Sequence, residues 1–379
     1  MSKKILYIYG GLYSPNGMNV MISQKVNYLA EHTDNDIYMI LTEHPERARI
    51  YHLSDKVHIK SIEINYDDLD TMPFLKKVYY YWKKQKKAKI MFANYLKELR
   101  PDITVSITRR EINFINKIND GSKKIAEIHF SRLFYRQFNK SFFPQWLNHF
   151  ISHIWMKGLI KNLKQLDRFV VLTEEDSHNW PELDNIVVIP NFVSSIPKMK
   201  STCSNKKVIA VGRYTYQKGF DLLVNVWEIV HRIHPEWTLD IYGAGNSKSY
   251  QSMADEKGLS SSLHCNGSVS NIYSAYAESS IFVLSSRYEG FGLVIIEAMG
   301  VGLPVVSFAC PCGPRDIINN GHNGYLARNG DIEDMAQKIC DLIEHDDKRI
   351  RMGANAVGTA EMYNKDFIMK KWIELFDSL

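Results

Sequence analysis

IFVLSSRYEGFGLVIIEAMG, residues 281 to 300, reads as three pieces in a row. IFVLSS is a short apolar run of strand type, RYEGFG is a glycine turn, and LVIIEAMG is a helix whose first amides lack intrahelical acceptors. A helix start after glycines is an anion site, because unpaired N–H groups and the positive end of the helix dipole converge there. Phe291, Gly292 and Leu293 therefore offer backbone donors to a diphosphate, with Gly290 beside them. Two carboxylates flank this start, Glu289 in the turn and Glu297 eight positions later in the helix. A carboxylate next to a diphosphate needs a neutral partner, and a sugar hydroxyl is one. The pair thus reads as Glu289 for a transferred sugar and Glu297 for a nucleotide ribose. Taken alone, the spacing favours a solvated loop acid and an intrahelical pair.

The same strand, loop and helix order recurs along the chain. KKILYIY, GGLYSPNG and MNVMISQKVNYLAE form such a unit at the beginning, and DIYMILT, VHIKSIEI, DITVSIT, KKIAEIHF and RFVVLT add strand-like runs. After VVIPNFVSSIPKMKSTCSNKK, rich in proline and small polar residues, the pattern restarts with VIAVGRY, TLDIYGAG, SLHCNGSV, IFVLSS and PVVSF. Alternation of this kind predicts α/β architecture with parallel, doubly wound sheets. The expectation is two Rossmann-like domains, 1–195 and 196–362, facing across a cleft, with a final helix, 363–379, crossing back to the first. Ligands of such sheets sit beyond the carboxyl ends of the strands.

Composition agrees with an ordinary globular protein. The 379 residues are 45% apolar and 23% charged, close to soluble averages, which excludes a disordered or fibrous chain. No apolar run reaches the roughly 20 residues of a membrane-spanning helix, and the opening apolar stretch is too short for a signal peptide. A cytoplasmic protein is expected, possible anchoring to the inner face of a membrane aside. The five cysteines are scattered and read as reduced thiols, Cys310 and Cys312 making at most a weak metal pattern. The net charge of +5 is uneven: residues 1–195 carry +7 and the remainder −2.

VIAVGRYTYQKGFDLLVNVW places Arg213 and Lys218 on the loop after a strand, where two cations suit a diphosphate leaving group. Read singly, they are also plausible surface charges. Gly243 ends the strand TLDIYG, and Val269 follows SLHCNGS, both at positions that let a flat base approach the backbone, or serve as tight turns. In the first half, Gly17 precedes a helix and offers backbone to the same ligand, while His129 at the end of KKIAEIHF points to the same side; a lone histidine is more often structural. Asp68-Leu-Asp70 lies in an acidic loop and is read as chance rather than a metal motif.

FLKKVYYYWKKQKKAKIMFANYLKEL predicts a basic helix with apolar residues at 74, 78, 81 or 82, 88, 92, 95 and 99, and with seven lysines and no acid from 76 to 89. Such a helix suits an anionic membrane surface, or a packed face with solvated lysines. The aromatic stretch from Phe130 through Phe134, Tyr135, Phe138, Phe142, Phe143, Trp146, Phe150 and Trp155 follows His129 and reads as an acceptor path or interfacial anchor. Nucleic acid is not expected, since no binding motif accompanies these residues.

GRYTYQKGFDLL, IYGAG, CNGSV, LSSRYEGFGLVIIEAMGVGLPVV and GPRDIINNGHNGYLARNGD, in this order, resemble glycosyltransferase family 4, with FVVLTEED and VVIPNFV extending the match upstream. The resemblance implies a GT-B fold and a retaining, metal-independent transferase needing no cofactor. Its donor would be a nucleotide diphosphate sugar, UDP-linked by preference, carrying a hexose or N-acetylhexosamine. Its acceptor would be a glycan or polyprenyl-linked glycan in bacterial surface polysaccharide synthesis. It further implies that Arg213 and Lys218 hold the diphosphate, Glu289 the donor sugar and Glu297 the ribose, with backbone contacts from Gly290 to Leu293 and from Gly17, and His129 near the reaction centre. The chain departs from the pattern at Asp316, where the family often has a longer glutamate. Two other readings stay open: a silent nucleotide-sugar-binding protein, and a nicotinamide-dependent oxidoreductase, for which the GAGNSK turn lacks a third glycine.

Overall fold

Parallel strands and the helices that cross between them account for most of the chain. The computed structural model describes residues 2–14, 17–135, 143–194 and 196–379. They form two units, Met1–Leu172 with Asp176–Ile189 and Met369–Leu379, and Thr173–Glu175 with Pro190–Ile368.

In chain order the first part contains β1 (Lys4–Tyr9), α1 (Gly17–His32), β2 (Asp36–Leu41), β3 (His58–Ser61), α2 (Phe74–Leu99), β4 (Ile103–Ser106), β5 (Lys123–Glu127), α3 (Gln145–Leu163), β6 (Arg168–Val171), α4 (Glu174–His178) and β7 (Ile186–Val188). The strands make a seven-stranded parallel sheet in the order β3-β2-β1-β4-β5-β6-β7. Chain order reverses between β1 and β4, where Ile5 faces Ile103. Leu6, Ile8, Phe92, Leu96 and Trp180 are among the buried side chains of one face.

The second part runs β8 (Lys207–Val211), α5 (Phe220–Ile233), β9 (Thr238–Tyr242), α6 (Ser247–Glu256), β10 (Leu263–Asn266), α7 (Ile272–Ala277), β11 (Ile281–Leu284), α8 (Leu293–Gly300), β12 (Val305–Phe308), α9 (Pro314–Ile317), β13 (Gly324–Ala327), α10 (Ile332–Glu344), α11 (Asp346–Glu361) and α12 (Lys365–Asp377). Its sheet has the order β10-β9-β8-β11-β12-β13. Here the reversal falls between β8 and β11, with Val208 opposite Ile281. At such a reversal the loops leaving two adjacent strands diverge to opposite faces and open a crevice for a ligand. The loops leaving β8 and β11 carry Lys218 and Glu289.

Two strands escape the sequence pattern. The segment expected as linker opens with β7, a three-residue edge strand whose Ile-Val-Val run is cut off by Pro190. β13 is hidden because it begins with a glycine; a Cβ at Gly324 would stand 2.3 Å from the carbonyl oxygen of Val305 on β12. The pairing demands the residue that strand propensity disfavours.

The basic helix α2 also differs from its expected single apolar face. Ala88, Phe92 and Leu96 are buried, but Leu75, Val78, Tyr79 and Trp82, at i, i+3, i+4 and i+7, are exposed. A helix with two apolar stripes in succession packs with its second half only. Phe74 at its start meets Phe143 edge to face, 5.7 Å between ring centroids, and Trp146 and Phe150 of α3 are exposed. Phe130, Phe134 and Trp155 are exposed as well, while Tyr135 donates to the Thr108 carbonyl at 2.6 Å. Phe138 and Phe142 lie outside the described residues.

Candidate functional site

Glu289 and Lys218 meet where the second sheet reverses. Lys218 Nζ lies 2.6 Å from Glu289 Oε1, and Ser286 Oγ donates to the same oxygen at 2.6 Å. Their side chains retain only 13% and 7% exposure, so the pair is screened far less than a surface bridge. Glu289 is fixed from behind as its amide donates to the Pro311 carbonyl, 3.1 Å.

The two loops are sewn together by backbone and by a second ion pair. The Arg287 amide donates to the Gln217 carbonyl at 2.8 Å, and Gln217 Nε2 donates to the Tyr288 carbonyl at 3.0 Å. Arg287 grips Asp221 at the start of α5 with two hydrogen bonds, 2.8 and 2.6 Å, and its guanidinium lies 3.9 Å from the ring centre of Tyr216. That guanidinium holds the Asp221 carboxyl below its ordinary range. Gly219 has φ +62°, and a Cβ there would approach the Ser285 carbonyl oxygen to 2.2 Å. Only glycine permits this turn and this approach together.

α8 starts at Gly292, its left-handed N-cap with φ 94°. The amides of Leu293 and Val294 donate to no backbone carbonyl among the described residues, leaving them free for an anion. One turn further, Glu297 is largely enclosed. Burial pushes its carboxyl up, opposed by the Tyr276 hydroxyl, 3.4 Å from Oε2, and by the charge of Lys218. Tyr273 is pushed to about 12 by burial and then by Glu297.

The structure therefore brings together Lys218, Glu289, Glu297 and the Gly290–Leu293 turn. Arg213 sits on the Lys218 loop but is exposed, with no ion pair among the described residues. The expected pair of matched cations is thus one lysine already held by a carboxylate and one unengaged arginine. Gly243 underlies the same loop: a Cβ there would meet the Gly212 carbonyl oxygen at 1.7 Å. Val269 is 46% exposed after β10. Asp316 accepts from the amides of Gly313 and Glu175, 3.4 and 3.0 Å, so the shorter acid holds the start of α9.

Gly17 and His129 belong to the first unit, at the start of α1 and just beyond β5. His129 Nε2 lies 3.0 Å from Glu127 Oε1. Glu127 also pairs with Lys25 of α1, and Lys25 Nζ stands 3.8 Å from the ring centre of Trp372 in the last helix. Burial works against both charges, yet Lys25 and His129 outweigh it at Glu127, whose carboxyl is held down at about 2. This buried trio was not legible from sequence, because Lys25 in a helix reads as a surface charge.

The acids of the tripeptide 68–70 are taken up by bases: Asp68 by Lys84 at 3.0 Å and Asp70 by Lys77 at 2.7 Å. The cysteines are free thiols, four of them buried. No helix of the described residues is long and apolar enough to cross a membrane.

The chain is similar to several known proteins. Residues 196–358 match the model of the family described as glycosyl transferases group 1. A protein of Haemophilus influenzae named uncharacterized glycosyltransferase is 32% identical over 211 residues, covering 54% of this chain and 60% of that protein. The poly(ribitol-phosphate) alpha-N-acetylglucosaminyltransferase of Staphylococcus aureus is 34% identical over 227 residues, 59% of this chain and 46% of that one. The chain thus spans about half to three-fifths of the length of these relatives. A solved structure of a Staphylococcus aureus TarM variant in complex with Fondaparinux, alpha-GlcNAc-glycerol and UDP superposes with a TM-score of 0.74 at 20% identity, covering 99% of both chains. The fold is that of the GT-B glycosyltransferases.

Proposed function

We propose that this chain is a retaining glycosyltransferase of the family 4 type that moves a hexose or N-acetylhexosamine from a UDP-sugar to a glycan or lipid-linked glycan of a bacterial surface polymer. The observation that carries the reading is the Lys218–Glu289 pair, 2.6 Å apart at the strand-order reversal and in front of the α8 amides. The relatives' names, and UDP with the TarM variant, support a nucleotide-linked donor.

In this reading the diphosphate takes Lys218 from Glu289 and accepts from the α8 amides, while Arg213 swings in from solvent. Glu289, released from its lysine, accepts a hydroxyl of the donor sugar, and Glu297 accepts from the ribose. The anomeric C–O bond to the diphosphate breaks with its electron pair leaving on the phosphate. The acceptor oxygen bonds to the same carbon from the same face, and its proton passes to the departing phosphate oxygen. Cations and amides fixed where negative charge develops lower the barrier without reorganising.

Calorimetry tests the clamp. Arg213→Ala with Lys218→Ala is expected to weaken UDP binding by at least about a hundredfold, given about 1.5–3 kcal/mol for each charge-assisted contact. Unchanged affinity would remove the clamp. Turnover of a UDP-sugar separates the transferase from a silent binding protein.

We also infer that the anionic face of a membrane is a partner. The exposed stripe Leu75, Val78, Tyr79 and Trp82, flanked by the lysines of 76–89, supports it, since each cation near such a surface adds about 1 kcal/mol. Sedimentation with phosphatidylserine vesicles is expected at low salt and not at high salt; association indifferent to salt, or none, contradicts it.

A further inference from the structure

A cavity of about 450 Å³ lies in the first unit beyond the ends of β1 and β2. It is within the range of small-ligand sites. Tyr13 comes from the loop after β1, and Glu43, His44, Arg47 and Arg49 from the loop after β2. The two loops hold one another: the Ile50 amide donates to the Leu12 carbonyl at 3.0 Å, and the Arg47 guanidinium lies 4.9 Å from the Tyr13 ring centre. Tyr13 Oη donates to Asp67 at 2.6 Å, and the Asp67 amide donates to Glu43 Oε2 at 3.0 Å.

The ion pairs around this cavity leave its two arginines out. Asp68 is shared by Lys84 at 3.0 Å and His44 at 3.4 Å, Glu46 faces His44 at 3.0 Å, and Asp70 is held by Lys77. Glu43 lines the cavity with 3% exposure, and burial pushes its carboxyl up against the bond from Asp67. Arg47 and Arg49 meet no carboxylate among the described residues. Arg109, after β4, packs so closely on Gly10 that a Cβ there would lie 2.0 Å from Nη1, and its charge acts on Glu43. Two guanidiniums that form no ion pair among the described residues, Arg47 and Arg49, line the cavity with hydroxyl-binding groups, the Glu43 carboxyl, the His44 ring and the Tyr13 oxygen.

We propose that this cavity is a subsite for a sugar or polyol bearing an acid group, whose anion pairs with Arg47 and Arg49 while its hydroxyls meet Glu43 and His44. Arginine is suited to this, since its planar fork matches carboxylate and phosphate oxygens in pairs. The inference deepens the glycosyltransferase reading, because it names the class of acceptor this chain would take.

The test titrates the full chain, with and without saturating UDP, with glucose, glucuronate and glucose 6-phosphate, followed by ligand-observed NMR. Either charged sugar, or both, is expected to bind at least about tenfold more tightly than glucose. Phosphate alone or carboxylate alone identifies which acid the site takes. Arg47→Ala/Arg49→Ala is expected to erase the preference and leave UDP affinity unchanged, and Arg47→Lys/Arg49→Lys to restore part of it. Equal binding of all three sugars overturns the proposal, as does a preference that survives the alanine pair. Failure of UDP itself to bind overturns the transferase reading instead, and is read in a separate titration.

Discussion

Glu289→Gln is expected to reduce sugar transfer by on the order of a hundredfold or more while UDP still binds. The amide keeps the length and one oxygen of the carboxylate, so Ser286 Oγ and Lys218 Nζ, both at 2.6 Å from Oε1, retain an acceptor. What disappears is the negative charge. In the resting site that charge compensates an ammonium with only 13% exposure, and in the reacting site it strengthens the bond to a sugar hydroxyl as positive charge gathers on the anomeric carbon. Loss of one fixed electrostatic partner of that kind costs about 10²–10³ in rate. Transfer and UDP affinity must be measured together. If turnover stays within a few-fold of the parent, Glu289 has no part in the reaction. If UDP binding collapses with it, Glu289 serves the loop rather than the sugar.

The sequence showed this much because the site is local. Residues 281–300 contain the strand, the turn and the helix that set Glu289, the free amides and Glu297 in one place, and periodicity places such pieces well. Lys218 is 71 positions away from Glu289, and its partner became evident only when β8 and β11 were found side by side. Ser286 carried no signal, since a serine after a strand is commonplace. β7 and β13 were missed for opposite reasons, the first being short and ending at a proline, the second needing a glycine against Val305. α2 misled because a count of apolar residues cannot tell two successive stripes from one; the protein core takes Phe92 and Leu96, and leaves Trp82 outside. The Arg47 and Arg49 cavity was hidden altogether, since unpaired charges are recognised only once every acid nearby has been assigned a partner.

Burial of charge within the first unit should weigh heavily on stability. Lys25→Met is expected to destabilise the protein at pH 7 by about 3–5 kcal/mol, the cost of leaving a buried carboxylate without its cation. Lys25 and Glu127 have side-chain exposures of 2% and 0%, so solvent cannot replace the lost partner. In the parent, the Glu127 carboxyl is held at about 2, below an unfolded value of about 4.3. A depressed carboxyl stabilises the fold at pH above the unfolded value, and that stabilisation is lost as the pH falls through the folded one. In the variant, burial, the largest influence on Glu127, acts with only His129 to oppose it and lifts the carboxyl instead. The sign then reverses, and protonation on acidification relieves the variant. The difference between the two proteins should therefore shrink as urea unfolding is followed from pH 7 down to pH 4. A loss below about 1 kcal/mol at pH 7, or a difference constant across that range, would show that Glu127 is not ionised in the native protein. The methionine keeps contact with Trp372, which lies 3.8 Å from the ammonium in the parent, so a change in packing alone predicts a small loss without pH dependence.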